Sequence, residues 1–314
     1  MPHGKILFID KAHPSFKEKL QNMGFECNDQ NINYQQLMET ASQYVGYIIR
    51  SKFAIDKPLL DASTNLKFIA RVGAGMENID IQYAQKKGVC CINSPEGNAD
   101  AVGEFVIGGI LALFRHILQA DTQVRNGQWL REENRGQELN KKTIGIVGYG
   151  NMGKSLAKKL SGFGCRVLAY DKYKTNFSDN FAQEVNLKTL QQEAEIVSIH
   201  INYLPENHYY INENWINNFE HNIFLANTSR GKVLNIKDLN SALLSGKVRG
   251  AVLDVLEYEN IRLQNKPKEE WNEDMITLAK NQNVILSPHI AGQTTESLEK
   301  HVNVLINKIL TLKF

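Results

Sequence analysis

This chain of 314 residues has little of several things that would define a function on their own. Its 4 cysteines, Cys27, Cys90, Cys91 and Cys165, form no C-x-x-C pair. So few thiols in so long a chain point to a reduced compartment and not to a disulfide framework. An excess of one charge is missing too, because 36 basic and 34 acidic residues leave +2 with histidine neutral. That balance removes the electrostatic case for a dedicated binder of nucleic acid or of a membrane surface. Long apolar runs are absent: the most apolar segment lies between Glu104 and Arg115, and a membrane span needs about 20 residues. The opening MPHGKILFID enters a strand-like run without a secretory pattern. The expectation is a soluble, cytoplasmic protein of about two domains, large enough to need no metal or disulfide staple.

Short apolar runs are plentiful, each followed by a polar or helix-period stretch. A first series covers 5–10, 45–51, 66–73 and 89–93; a second covers 143–150, 165–171, 196–200, 222–229, 249–255 and 283–289. Runs that are apolar throughout, and not alternating, predict strands covered on both faces. Their alternation with helical stretches predicts an α/β fold with parallel sheets. Between the series, 98–118 reads as one long apolar helix and 121–140 as a polar connecting arm. Residues 295–310 read as an amphipathic helix, and 257–280 as a charged surface excursion.

The sharpest local pattern is Gly148-Tyr-Gly150-Asn151-Met152-Gly153, set between the strand TIGIV and a helical stretch. In that context Gly148 serves the tight turn, Gly150 the approach of a pyrophosphate, and Gly153 close helix packing. The helix N-terminus adds free N–H groups and a favourable dipole. The same letters, GYGNMGKS, also satisfy the P-loop pattern, and AVLD (251–254) ends in an acid suited to Mg²⁺. Asp171, at the end of the next predicted strand and 18 residues past Gly153, favours the dinucleotide. Its carboxylate suits ribose hydroxyls and repels a 2′-phosphate, although Lys172 and Lys174 stand close.

Three polar residues fall where strands of the second series run out: Arg230 after NIFLANTS, Glu259 after RGAVLDV, and His289 at the end of NVILSPH. Ligands gather at such carboxyl ends. An arginine offers a planar fork to a carboxylate, and a histidine beside a carboxylate suits acid–base work near neutral pH. Each has a plainer reading, as a solvated charge or a turn residue. His200 also ends a run, as a cofactor contact or a satisfied buried histidine. In the first series, Arg71, Gly73, Ala74 and Gly75 read as an anion nest with Gly73 and Gly75 exposing their N–H groups. Arg50 and Ser51 end another strand.

LKFIARVGAGMENID, NSPEGNADAVGEF, KKTIGIVGYGNMG, VLAYD, NTSRG, GAVLDVLEYE and SPHIAGQT occur in that order. Together they resemble the D-isomer-specific 2-hydroxyacid dehydrogenase family over nearly the whole chain, which selects the dinucleotide over the P-loop. The resemblance implies two Rossmann-like lobes with a cleft between them. One is a flavodoxin-like substrate domain (1–97 and 290–314). The other is a doubly wound NAD-binding domain (98–289), with dimerisation elements at 98–140 that imply a homodimer. It implies NAD as cofactor, a small 2-hydroxy or 2-keto acid as substrate, and no metal. It makes Arg230 the carboxylate binder, His289 the acid–base and Glu259 its partner. Gly148, Gly150, Asn151, Met152, Gly153, Asp171, His200, Thr228, Ser229 and Asp254 would surround the cofactor. Arg50, Ser51, Arg71, Gly73, Ala74 and Gly75 would meet the substrate. The Arg50-Ser51 pair looks most like short 3-phosphoglycerate dehydrogenases of serine biosynthesis, expected here without their serine-binding regulatory domain. Glyoxylate or hydroxypyruvate reduction and a non-enzymatic NAD-binding regulator are the rivals. The chain departs from the family at HINYL (200–204), where H-x-P-L-T is usual, and at Asn260, where proline usually follows the glutamate.

Overall fold

The structure, a computed structural model, describes residues 3–259 and 267–312, so Asn260 lies outside the described residues. The chain divides into two compact units, Met1–Ala99 with Gln293–Phe314, and Asp100–Gly292.

The first unit carries β1 (Lys5–Phe8), β2 (Glu26–Asn28), β3 (Tyr44–Ile49), β4 (Phe68–Arg71) and β5 (Cys90–Asn93). They pair in parallel in the order β2-β1-β3-β4-β5, the flavodoxin-like order. Its helices are α1 (Pro14–Asn22), α2 (Tyr34–Thr40), α3 (Lys57–Ala62) and α4 (Ile81–Lys86). Each starts where a side chain satisfies an orphan N–H: His13, Asn33, Asp56 and Asp80 accept from the first turn. The sheet is buried on both faces. Leu7, Tyr47, Ile49 and Ile69 pack on one side, and Ile6, Phe8, Ile48 and Phe68 on the other.

The second unit opens with α5 (Ala99–Phe114) and α6 (Ile117–Arg125). Then follow β6 (Thr143–Val147), α7 (Asn151–Leu160), β7 (Arg166–Tyr170), β8 (Gln183–Glu184), α8 (Leu187–Glu193) and β9 (Ile196–Ile199). The unit closes with α9 (Glu213–Asn217), β10 (Ile223–Asn227), α10 (Ile236–Leu244), β11 (Val248–Leu253), α11 (Glu273–Lys280) and β12 (Val284–Leu286). Its parallel sheet runs β12-β11-β10-β9-β6-β7-β8, the doubly wound order that reverses between β6 and β9. The last helix, α12 (Thr295–Leu310), returns to the first unit and buries Val302, Leu305, Ile306 and Ile309 against its core.

Every predicted run contains a strand. The two strands the pattern did not show, β2 and β8, are 3 and 2 residues long and polar. The long helix expected over 98–118 is two helices, bent by 57°. His116 takes a left-handed φ of 50°, and the Phe114 carbonyl, near the helix end, accepts from the Gln137 N–H at 2.9 Å. The polar arm is accordingly helical as far as Arg125. The charged stretch 257–280 is not all surface, since α11 buries Met275 and Leu278. Among the described residues no single helix is long and apolar enough to cross a membrane.

Candidate active site

Three strand ends of the second unit line up by register. Asn227 of β10 lies opposite Leu253 of β11, which lies opposite Leu286 of β12. Arg230, Asp254 and His289 therefore leave the same edge of one sheet within a few residues of its last rung. His289 sits in a left-handed conformation, φ 57°, that a non-glycine residue adopts only when its surroundings impose it. Asp254 imposes it. This aspartate is 0% exposed, and its Oδ1 accepts from Ser287 Oγ at 2.5 Å and the Ile290 N–H at 2.8 Å. Its Oδ2 accepts from the Ala291 N–H at 2.8 Å, and its carbonyl from the His289 N–H at 2.8 Å. Asp254, expected as a cofactor neighbour, spends its carboxylate on this loop: charge-assisted bonds to backbone N–H groups offset its burial.

Glu259 completes the arrangement. Its Oε1 accepts from the Leu256 N–H at 2.7 Å, and its Oε2 lies 2.9 Å from His289 Nδ1. A carboxylate there keeps a hydrogen on Nδ1 and leaves Nε2 as the nitrogen for proton transfer. Arg230 is set by Asn227, a residue the sequence reading passed over. The buried Asn227 Oδ1 accepts from the Ser229 N–H at 3.0 Å and Ser229 Oγ at 2.8 Å, and its Nδ2 donates to the Arg230 carbonyl at 3.2 Å. Its signal was an amide closing an otherwise apolar strand.

The glycine turn joins β6 to α7. Gly148 has φ +96°, and a Cβ there would lie 2.6 Å from the His200 carbonyl; one on Gly153 would lie 2.2 Å from the Gly148 carbonyl. Gly150, the N-cap of α7, has open space where its Cβ would be and no side chain capping the helix. Asn151 and Met152 form the first turn beyond it. Asp171 accepts from the Tyr149 N–H at 2.9 Å and the Tyr173 N–H at 3.0 Å. Thr228 Oγ1 is buried without a partner. An uncapped helix start, a glycine with room beside it and an orphaned hydroxyl are what a dinucleotide would use, so these residues fit NAD. His200 turns inward. Its Nε2 lies 2.8 Å from Ser198 Oγ, and burial pushes its pKa down to about 4, so the ring is neutral at neutral pH.

The first unit has its own cluster. Ile49 pairs with Arg71 in register, so Arg50 and Arg71 stand at adjacent strand ends. Asp10 Oδ2 accepts from the Arg50 N–H at 2.6 Å, and Asn78 Nδ2 donates to the Arg50 carbonyl at 3.2 Å. Ser51 follows directly. The nest differs from expectation at Gly73, whose N–H donates to Ser94 Oγ at 3.0 Å. That leaves the amides of Ala74 and Gly75, which have no partner among the described residues.

Residues 107–291 match the family model described as the NAD-binding domain of D-isomer-specific 2-hydroxyacid dehydrogenases. The chain is similar to a hydroxypyruvate reductase from Thermotoga maritima, 32% identical over 284 residues and 90% of each chain. It is similar to a D-3-phosphoglycerate dehydrogenase from Methanocaldococcus jannaschii, 29% identical over 305 residues, 96% of this chain and 56% of that one. Among solved structures, the D-lactate dehydrogenase of Aquifex aeolicus complexed with NAD and lactic acid is 26% identical at a TM-score of 0.82. The match covers 98% of this chain and 94% of that one.

Proposed function

The chain belongs to the D-isomer-specific 2-hydroxyacid dehydrogenases, which are NAD-dependent oxidoreductases, and on that premise we propose reversible hydride transfer at C2 of a three-carbon D-2-hydroxy acid, with 3-phosphoglycerate as first substrate. The observation that carries the reaction is the His289–Glu259 pair at 2.9 Å. In oxidation, the hydroxyl proton passes to Nε2 of neutral His289, C2 and its oxygen become a carbonyl, and the C2 hydrogen leaves with its electron pair. Reduction reverses each transfer, with protonated His289 as the acid. Bound NAD supplies the hydride acceptor, and NADH the donor. Glu259, 2.9 Å from Nδ1, fixes the ring and its tautomer. Arg230 offers its fork to the carboxylate and the C2 oxygen. Asp254 and Asn227 act one step back, as positioning residues for His289 and Arg230. Gly148, Gly150, Gly153 and Thr228 would hold the cofactor, and Asp171 its ribose.

Arg50 carries the choice of a phosphorylated acid, because its strand end adjoins that of Arg71 and two guanidiniums suit a dianion. A second reading, unphosphorylated hydroxypyruvate, is supported by the 32% identity spanning 90% of both chains. Initial rates with NADH separate them. Wild-type kcat/KM should favour 3-phosphohydroxypyruvate over hydroxypyruvate, and Arg50→Ala should cut that ratio by about 10-fold or more. An unchanged ratio selects the second reading.

We also propose a homodimer built on α6. None of its residues is buried, its Ile117 and Leu118 are 51% and 57% exposed, Trp129 beyond its end is 73% exposed, and so short a helix is not stable alone. A second copy of the chain would cover that face. Sedimentation should give a dimer for the wild type and a monomer for Leu118→Glu.

A further inference from the structure

His301 is a buried titratable residue for which the proposed reaction has no use. It lies on α12, 6% exposed, and its Nδ1 is 2.8 Å from Ser94 Oγ and 3.0 Å from the Ser94 carbonyl oxygen. A carbonyl oxygen only accepts, so Nδ1 carries a hydrogen and donates to both. Ser94, just past β5 and 0% exposed, accepts the Gly73 N–H at 3.0 Å on that same Oγ. Its own N–H donates to the Gly73 carbonyl at 2.9 Å. One serine thus holds both backbone polar groups of Gly73, at φ +133°, and one histidine holds the serine. Beside them Asn93 Nδ2 donates to the Ala74 carbonyl at 2.6 Å. What the clamp leaves over are the amides of Ala74 and Gly75, next to Arg71.

We propose that His301 is a positioning residue for substrate: through Ser94 it locks Gly73 so that the Ala74 and Gly75 amides are presented to the acid's anionic group. This rests on the reading that the 71–75 loop binds that anion. An apolar side chain at 301 would remove the Nδ1 donor that ties Ser94 to α12, leaving Ser94 Oγ with only the Gly73 N–H at 3.0 Å and the Ser94 carbonyl with only the Gly97 N–H at 3.0 Å. Burial, reinforced by Arg71 and Arg50 and opposed by the Ser94 carbonyl and Glu96, pushes the His301 pKa down to about 4. The ring is therefore a constant neutral donor at neutral pH.

Steady-state rates with hydroxypyruvate and saturating NADH test this, alongside NADH affinity from fluorescence titration. His301→Ala should raise KM about 5- to 10-fold with kcat within about 2-fold and NADH affinity unchanged. His301→Asn, whose amide nitrogen falls near Nδ1, should restore KM to within about 2-fold of wild type. Ser94→Ala should reproduce the KM rise, and the double variant should be no worse than either single one, because both act through one bond chain. Should His301→Ala not fold, His301→Asn and Ser94→Ala carry the comparison. Gly73→Ala, whose Cβ would lie 1.7 Å from Arg71 Nη1, disturbs the loop directly. A raised KM in Gly73→Ala with wild-type KM in His301→Ala and Ser94→Ala overturns the inference and leaves the loop assignment standing. Wild-type KM in Gly73→Ala overturns both. Additive effects in the double variant, or NADH affinity falling with KM, also overturn the inference.

Discussion

Two histidines follow parallel strands of the same sheet and meet opposite fates. His200, after β9, faces inward onto a neutral hydroxyl, Ser198 Oγ at 2.8 Å. His289, beyond β12, faces a carboxylate, Glu259 Oε2 at 2.9 Å, from a loop tied down by Asp254. Burial without a counter-charge removes the first from acid–base chemistry near neutral pH. A carboxylate partner on Nδ1 equips the second for it, because proton transfer at Nε2 then has a fixed tautomer and geometry. The residue type does not separate them, nor does the position after a strand. The chemistry of the hydrogen-bond partner does.

The largest effect that can break this comparison comes from His289→Ala. Turnover should fall by about a thousandfold, the range general acid–base groups contribute, while fluorescence titration shows NADH binding unchanged. Turnover near wild type would mean that the pair is structural. Glu259→Gln sharpens it: the amide keeps a hydrogen bond to Nδ1 but no charge, and turnover should drop by about 100-fold. A loss in KM alone would move Glu259 out of the proton path.

The smallest effect concerns His200. With its folded pKa near 4 and its ordinary value at 6.5, the unfolded chain takes up the proton first as pH falls. Stability from this residue is full above 6.5 and is lost as pH drops from 6.5 to about 4, by up to ~1.4 kcal/mol per pH unit. His200→Gln cannot charge, so denaturant midpoints between those limits should depend less on pH, with turnover at neutral pH within about 3-fold of wild type. An unchanged pH slope would place His200 in solvent, and a collapse of turnover would return it to the reaction.

Much of this was legible in the sequence. Eight of the ten predicted strands bury most of their residues, as an apolar run covered on both faces does, while β5 and β12, at the sheet edges, bury none. The glycine turn was readable because a left-handed Gly148 and a crowded Gly153 admit no other residue. Arg230, Glu259 and His289 stood out as polar residues just past strands. Other features had no local signature. The break at His116 depends on Gln137 reaching the Phe114 carbonyl, 23 positions away. Gly73 looked like a nest donor until Ser94 took its N–H. His301 looked like one more polar position on an amphipathic helix.

The order of apolar runs and glycines, by itself, determined two parallel α/β sheets and which segments end at their carboxyl edges, since periodicity and backbone freedom are properties of the local chain. Only the tertiary structure decided which polar side chains at those edges became partners: Asp254 with the 287–291 loop, Glu259 with His289, His301 with Ser94. Hydrogen bonds and burial depend on distances between residues that strand pairing brings together. Ser94 and His301, 207 positions apart, are joined by one bond of 2.8 Å.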